Sequence, residues 1–215
     1  MKEIKIISFD IGNTLIRLGN EGFCSEFRIK TGLSKEVLNP LFFKHFLTKN
    51  YSLHDAVYKV CSIIGYKHPQ KLIDEFQPAP VFLFDDTIPV LEQLLRAGIL
   101  MVAISNCTPW EAGGIDAVGL NRYLQKVFYS YAIGAAKPDP AIFLYVQRTV
   151  GVSPENILHV GDSFIADVEG AQAVGWQTVL LNRDNRSTEC DIGNSKTPII
   201  KSLSELIYIV KQSLR

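Results

Sequence analysis

The sequence predicts an α/β protein: a doubly wound, Rossmann-like parallel sheet with an all-helical segment inserted after its first strand. Three observations lead there. Short apolar runs rich in β-branched residues recur along the chain and end at polar or glycine-containing turns. Helix-like stretches that stop at a glycine separate them. From about residue 16 to residue 84 this alternation is interrupted, and only helical periodicity remains.

The first strand is expected over Ile4 to Phe9, ending at Asp10. Four later segments share its character: Leu100 to Ile104, Val127 to Tyr129, Ile157 to Val160 and Thr178 to Leu181. Helices are expected over Ile88 to Ala97, Pro140 to Val150 and Asp167 to Val174, each followed by glycine. Strands alternating with helices of this length argue for a parallel sheet, because parallel neighbours need crossover connections. Inside the interruption, Asn39 to Leu47 and Leu53 to Ile64 read as helices, with loops at Lys67-His68-Pro69 and Gln77-Pro78-Ala79-Pro80 and no buried strand. The expected division is a core formed by residues 1–15 and 85–215 and a helical unit formed by residues 16–84. At the C-terminal end, Pro198-Ile199-Ile200 reads as an edge strand. Ser202-Leu203-Ser204-Glu205-Leu206 reads as the capped start of an amphipathic helix.

Composition excludes several function classes. The chain has 215 residues, 47% hydrophobic and 20% charged, which suits a globular domain and neither a disordered nor a membrane-spanning one. Its 22 basic and 22 acidic residues balance, and no basic tract follows a phosphate backbone, so no nucleic-acid partner is implied. Cys24, Cys61, Cys107 and Cys190 are scattered, without a CxxC pair. They read as reduced structural thiols of a cytoplasmic protein that begins at Met1 without a leader. The aromatic stretch Leu41 to Leu47 reads as a buried helix face of the insertion, and as alternatives the apolar underside of a lid or a dimer contact; monomer and homodimer both stay open.

In an open parallel sheet, ligands bind beyond the carboxyl ends of the strands. Asp10 follows the first strand, Ser105-Asn106 the second, and Gly161-Asp162 the strand ending in Val160, while Lys137 precedes a helix on the same rim. Taken singly, each is as readily a solvated residue or a helix cap. As a set they suit phosphoryl transfer. A carboxylate attacks phosphorus only when the phosphate's charge is neutralised, which Mg2+ held by Asp10 and Asp162 would do, with Lys137 as a second positive charge. Ser105 and Asn106 can donate hydrogen bonds to the transferring group's oxygens.

The motifs then become specific. Phe9-Asp10-Ile11-Gly12-Asn13-Thr14-Leu15 resembles the first motif of the haloacid dehalogenase superfamily, usually DxDxT, and Ile104-Ser105-Asn106 resembles the second. Lys137-Pro138-Asp139-Pro140-Ala141-Ile142-Phe143 is similar to its lysine motif. The stretch from His159 to Asp167 resembles its GDxxxxD motif, and Gly170-Ala171 and Gly175-Trp176 extend that match. The resemblance implies Asp10 as a nucleophile that is transiently phosphorylated. It implies Mg2+ held by Asp10, Asp162 and the backbone carbonyl of Gly12, and Asp167 behind them orienting a metal-bound water or Lys137. Thr14 is expected to buttress the loop through its hydroxyl, and the helical insertion to act as a cap that closes over a small phosphorylated metabolite.

One position departs from the pattern. Where phosphatases of this family carry the acid that protonates the leaving oxygen, this chain has Gly12. General acid–base catalysis is worth roughly 10²- to 10⁴-fold, so weak or leaving-group-selective turnover is expected. Glu26, His45, His54 and Asp55 are the protonatable substitutes within the cap, unless Gly12 is there for a backbone angle or a close approach. Dehalogenation of 2-haloacids is the alternative chemistry, since halide needs no proton and Ser105-Asn106-Cys107-Thr108-Pro109 resembles those enzymes. An intact Gly161-Asp162 argues against it. A phosphonatase would need a Schiff-base lysine from Lys30, Lys35, Lys44, Lys49, Lys59, Lys67 or Lys71, and a catalytically degenerate member would bind a ligand or partner without turnover. His159, Trp110, Trp176 and Arg183 read as packing or loop-anchoring residues.

Overall fold

A computed structural model describes residues 2–20, 22–183 and 196–213. Its strands are β1 (Ile6–Phe9), β2 (Ile16–Leu18), β3 (Val81–Leu83), β4 (Leu100–Ser105), β5 (Lys126–Tyr129), β6 (Ile157–Gly161), β7 (Gln177–Leu181) and β8 (Ile199–Ile200). Six of them form one parallel sheet in the order β5-β4-β1-β6-β7-β8. The chain therefore winds one way from β1 through β4 to β5 and the other way through β6, β7 and β8. The reversal lies at β1, and the crevice beyond its carboxyl end is where such a sheet binds ligands.

Both faces of the sheet are covered, which is why its central strands are apolar throughout rather than alternating. All four residues of β1 are buried. Against one face pack α5 (Thr87–Arg96) and the C-terminal helix, here α10 (Leu203–Ser213), through Val90, Leu91, Leu94, Leu203, Leu206 and Val210. Against the other lie α8 (Pro140–Val150) and the short α9 (Gly170–Gln172), through Ile142, Phe143, Val146 and Ala171, with Trp176 beside them. α8 has Asp139 as its cap, accepting from the Ala141 N–H, proline at its first position and Gly151 in the left-handed conformation after its last. The start of α10 is held by Glu205, whose carboxylate accepts from the N–H groups of Lys201 and Ser202.

The inserted segment contains α1 (Gly22–Thr31), α2 (Lys35–Phe42), α3 (Leu53–Ile64) and α4 (Pro69–Asp74), with a wide π-helical turn, Phe43–Leu47, extending α2. These elements bury an aromatic cluster of their own that includes Phe23, Phe27, Phe42 and Phe46. Trp110, from the loop after β4, enters that cluster with its ring 5.2 Å from Phe23 and 5.9 Å from Phe46.

The expectation of no strand between residues 16 and 84 is corrected here. β2 and β3 pair antiparallel, Ile16 opposite Leu83 and Leu18 opposite Val81, and tie together the two ends of the insertion. Each strand has three residues and only Ile16 is buried, so neither shows a period, and no local turn joins them. A second adjustment concerns the expected helix Asp167 to Val174. The helical path starts earlier, as a π-helical turn over Phe164–Glu169, with the Ser163 hydroxyl accepting from the Ala166 N–H.

Candidate active site

Asp10 stands one residue beyond β1, and its backbone N–H donates to the carbonyl of Val160 in β6 at 2.8 Å. The turn that follows is compact because the Ile11 carbonyl accepts from the N–H groups of Leu15 and Ile16 at 2.9 and 3.0 Å. Asn13 takes a φ of 56°, a left-handed conformation that asparagine tolerates better than most residues. Gly12, by contrast, does not have a positive φ, and a Cβ built on it meets nothing within 4 Å. The backbone reason for glycine offered by the sequence is thereby corrected, since the position has room for a side chain and an ordinary conformation.

Lys137 is 2% exposed, and its Nζ donates to Asp10 Oδ1 and to Asp167 Oδ1, both at 2.6 Å. Asn106 fixes the lysine's backbone: its Nδ2 donates to the Lys137 carbonyl at 2.8 Å and its Oδ1 accepts from the Lys137 N–H at 2.9 Å. Those contacts engage the amide oxygen and one of its two N–H groups.

Asp167 is 1% exposed and fully engaged. Its Oδ1 meets His159 Nε2 at 3.2 Å as well as Lys137, and its Oδ2 accepts from the Ser163 N–H at 2.9 Å. His159 Nδ1 in turn lies 3.0 Å from the Ser8 hydroxyl of β1. A buried polar line thus runs Ser8, His159, Asp167, Lys137, Asp10. Gly161 makes room for it, because any Cβ there would overlap the Asp167 carboxyl.

Asp162 completes the group: Asp10, Asp162 and Asp167 each offer a carboxylate oxygen, and these oxygens lie within 4.8 Å of one another. Burial, more than the repulsion from Asp167 and Asp162, pushes the Asp10 carboxyl up to about 7 despite the pull of Lys137. Burial also works against an ionised Asp167, but the Lys137 charge and the His159 bond together outweigh it and hold that carboxyl well below the usual range. Lys137 is held protonated by the same two acids against its own burial. Asp10 Oδ2 is buried and has no hydrogen-bond partner among the described residues.

These residues floor a cavity of about 320 Å³, which Gly12, Ser105 and Asn106 also line. The Thr14 hydroxyl does not perform its expected role, because it is buried without a hydrogen-bond partner among the described residues. The turn is buttressed from elsewhere. Thr87 Oγ1 donates to the Leu15 carbonyl at 2.7 Å, and Arg183 donates to the Thr14 carbonyl at 3.1 Å. Arg183 also grips both carboxylate oxygens of Asp86 at 2.7 and 2.9 Å and lies 4.1 Å from the centre of the Phe84 ring, the anchoring role expected of it.

None of the four protonatable cap candidates lines this cavity. Glu26 pairs with Lys30 at 2.8 Å, His45 is buried in the π-helical turn, and His54 and Asp55 are exposed neighbours. The seven cap lysines are likewise absent from the wall. The cavity includes residues that the sequence did not single out as site residues: Pro78 and Ala79 from an expected loop, and Trp110, Glu111 and Ile115. Only tertiary packing gathers them, although a proline-rich loop ahead of a returning strand is a usable signal.

Comparison with known proteins identifies the family of the chain. A family model, haloacid dehalogenase-like hydrolase, matches residues 4–175. The chain belongs to this family. Among curated relatives, a glyceraldehyde 3-phosphate phosphatase of Methanopyrus kandleri is 34% identical over 103 residues, covering 46% of this chain and 43% of that protein. The human haloacid dehalogenase-like hydrolase domain-containing protein 3 is 26% identical over 207 residues, 83% of this chain and 82% of its own. For the first two curated relatives the match spans only about half of their length, 43% and 51%. A HAD phosphatase from Thermococcus onnurineus shares the fold at a TM-score of 0.63 and 27% identity over 98% of both chains. A 2-haloacid dehalogenase from Pseudomonas syringae pv. Tomato matches at 0.69 over 97% of this chain and 99% of that one, and at 23% identity this likeness concerns the fold alone. The chain thus belongs to the haloacid dehalogenase-like hydrolase family and has a Rossmann-like α/β core, and no helix among the described residues is long and apolar enough to cross a membrane.

Proposed function

We propose that this HAD hydrolase is a magnesium-dependent phosphatase that works through an aspartyl phosphate on Asp10. The observation that carries the reading is the orphaned Oδ2 of Asp10, a buried oxygen without a partner beside two further carboxylates and a single ammonium. A buried, unpartnered carboxylate oxygen with two further carboxylate oxygens within 4.8 Å is the setting, among the described residues, that suits a hard divalent cation. Asp10, Asp162 and the Gly12 carbonyl are the residues assigned to hold it; the oxygens of Asp167 already serve Lys137, His159 and Ser163. When bound, magnesium supplies the positive charge that lets a carboxylate approach a phosphate dianion.

The chain's own residues do the rest. Lys137 holds Asp10 Oδ1, so the nucleophile meets phosphorus in a fixed orientation, and its ammonium neutralises charge on the transferring group. Ser105 and the remaining Asn106 N–H donate to phosphate oxygens. Asp167, kept ionised by Lys137 and His159, anchors the lysine. The inserted helices act as the cap over a small phosphorylated metabolite. Names of relatives such as glyceraldehyde 3-phosphate phosphatase and phosphoglycolate phosphatase support phosphate ester hydrolysis.

The test uses purified protein with aryl phosphate, acyl phosphate and 2-haloacid substrates, each with magnesium and with chelator. Phosphate release that chelator abolishes and Asp10→Asn eliminates is the expected outcome. Halide release indifferent to chelator would replace this reading with dehalogenation.

A further inference from the structure

We infer that the leaving group this site accepts is uncharged, apolar and weakly basic, as in an aryl or enol phosphate, and that leaving groups carrying a carboxylate or a second phosphate are rejected. The inference rests on the phosphatase reading above and concerns the part of the cavity beyond the phosphate.

That part is walled by Ile16 and Leu18 of β2, Pro78 and Val81 at the returning end of the insertion, and Trp110 and Ile115 after β4. Charge is distributed unevenly over the whole wall. Asp10, Glu111, Asp162 and Asp167 line it, while among the described residues Lys137 is its only basic side chain. That ammonium is already bound by two acids at 2.6 Å each. The nearby Arg183 is engaged by Asp86 and Arg17 lies over the Phe82 ring, and neither lines the cavity. A carboxylate on the leaving group would therefore enter against Glu111 and the transferring phosphate, with no basic side chain among the described residues of the wall left to receive it, and lose its hydration to apolar walls. A neutral ring would bury apolar surface there at no such cost.

Gly12 narrows the class further. Where a phosphatase acid would protonate the departing oxygen there is open space, and none of the cap candidates reaches it. When Asp10 attacks, the O–P bond forms as the P–O bond to the leaving group breaks, and the leaving oxygen departs with the electron pair unprotonated. It takes its proton from water. Phenols and enols tolerate this far better than alkanols. Water then attacks the phosphoryl group, releasing inorganic phosphate and free Asp10.

Phenyl, 4-carboxyphenyl and benzyl phosphate separate the terms. With magnesium, kcat/KM for phenyl phosphate should exceed that for the carboxylated ester by on the order of 100-fold, and kcat for the more basic benzyl leaving group should be lower than for phenyl. Binding is read independently of turnover, by calorimetry with phenylphosphonate and 4-carboxyphenylphosphonate in the presence of magnesium, and should favour the neutral compound at least about tenfold. Leu18→Lys, at a cavity-lining position that is 44% exposed, should narrow both preferences. Equal binding of the two phosphonates, or preference for the carboxylated one, overturns the inference. Absence of phosphate release from every ester, with the binding preference intact, instead overturns the phosphatase reading and leaves only the preference for an uncharged group in this part of the cavity.

Discussion

The side-chain amide of Asn106 holds the backbone of Lys137 at both its N–H and its carbonyl, at 2.9 and 2.8 Å, across 31 residues of sequence. β4 thereby fixes the segment from which Lys137 reaches Asp10. Asn106→Ala removes both bonds and leaves two part-buried backbone groups unsatisfied, a destabilisation of about 1–3 kcal/mol. Displacement of the ammonium should also lower kcat by on the order of 10- to 100-fold. Chemical denaturation and steady-state phosphate release measure the two effects separately.

Gly12→Asp tests the missing acid. The position is open and its backbone ordinary, so the variant should fold as the parent does. Its kcat for benzyl phosphate should rise at least about tenfold, towards the roughly 10²- to 10⁴-fold that general acid–base catalysis is worth. The rate of the initial phenol release from phenyl phosphate, whose leaving group needs no proton, should gain less. An unchanged benzyl rate in a folded variant would show that another group already serves the leaving oxygen.

The buried carboxyl of Asp10 should make metal-free stability fall with rising pH. Its folded pKa is raised from 3.8 to about 7, so between those values the folded protein binds more proton than the unfolded chain, and stability is lost as pH rises through the window. Asp167 is shifted the other way, and its contribution is lost only at acid pH, below the unfolded value of 3.8. Lys137, raised from 10.5, acts only at alkaline pH. In chelator, the stability advantage of Asp10→Asn over the parent should therefore grow from pH 5 to pH 8, by up to a few kcal/mol. His45, lowered by burial, is common to both proteins and cancels in the difference. Urea titration at the two pH values reads the effect.

Arg183→Ala should destabilise the fold by about 1–3 kcal/mol, because it leaves the part-buried Asp86 carboxylate with the Leu203 N–H but no charge partner and frees the carbonyl of Thr14. Arg183→Lys should recover only part of this, since an ammonium cannot match the bidentate grip or stack on Phe84. The midpoint of denaturation distinguishes the three proteins.

The parallel sheet and its strand-end acids were legible because buried parallel strands leave continuous apolar runs, and each run stops at the residue that matters: Phe9 before Asp10, Ile104 before Ser105 and Val160 just before Gly161-Asp162. Arg183 and His159 also behave as their positions suggested. The β2–β3 pair was not legible, since three-residue strands more than sixty positions apart carry neither periodicity nor a turn signal. The Thr14 hydroxyl was misread because the motif gives a residue type and not the partner it finds. The apolar cavity wall was hidden for a related reason: Leu18, Pro78, Trp110 and Ile115 meet only when the insertion folds back over the sheet.

The central claim is that Asp10 carries the phosphoryl group, and Gly12 makes it directly observable. Without an acid–base residue to activate water, breakdown of the aspartyl phosphate should be slow relative to its formation from an aryl phosphate. Rapid acid quench of enzyme mixed with magnesium and phenyl phosphate, followed by peptide mass spectrometry, should find a phosphoryl group on the peptide containing Asp10. It should accumulate in step with a burst of phenol and be absent from Asp10→Asn. Steady turnover with no phosphorylated peptide, or with the group on any other residue, would contradict the account.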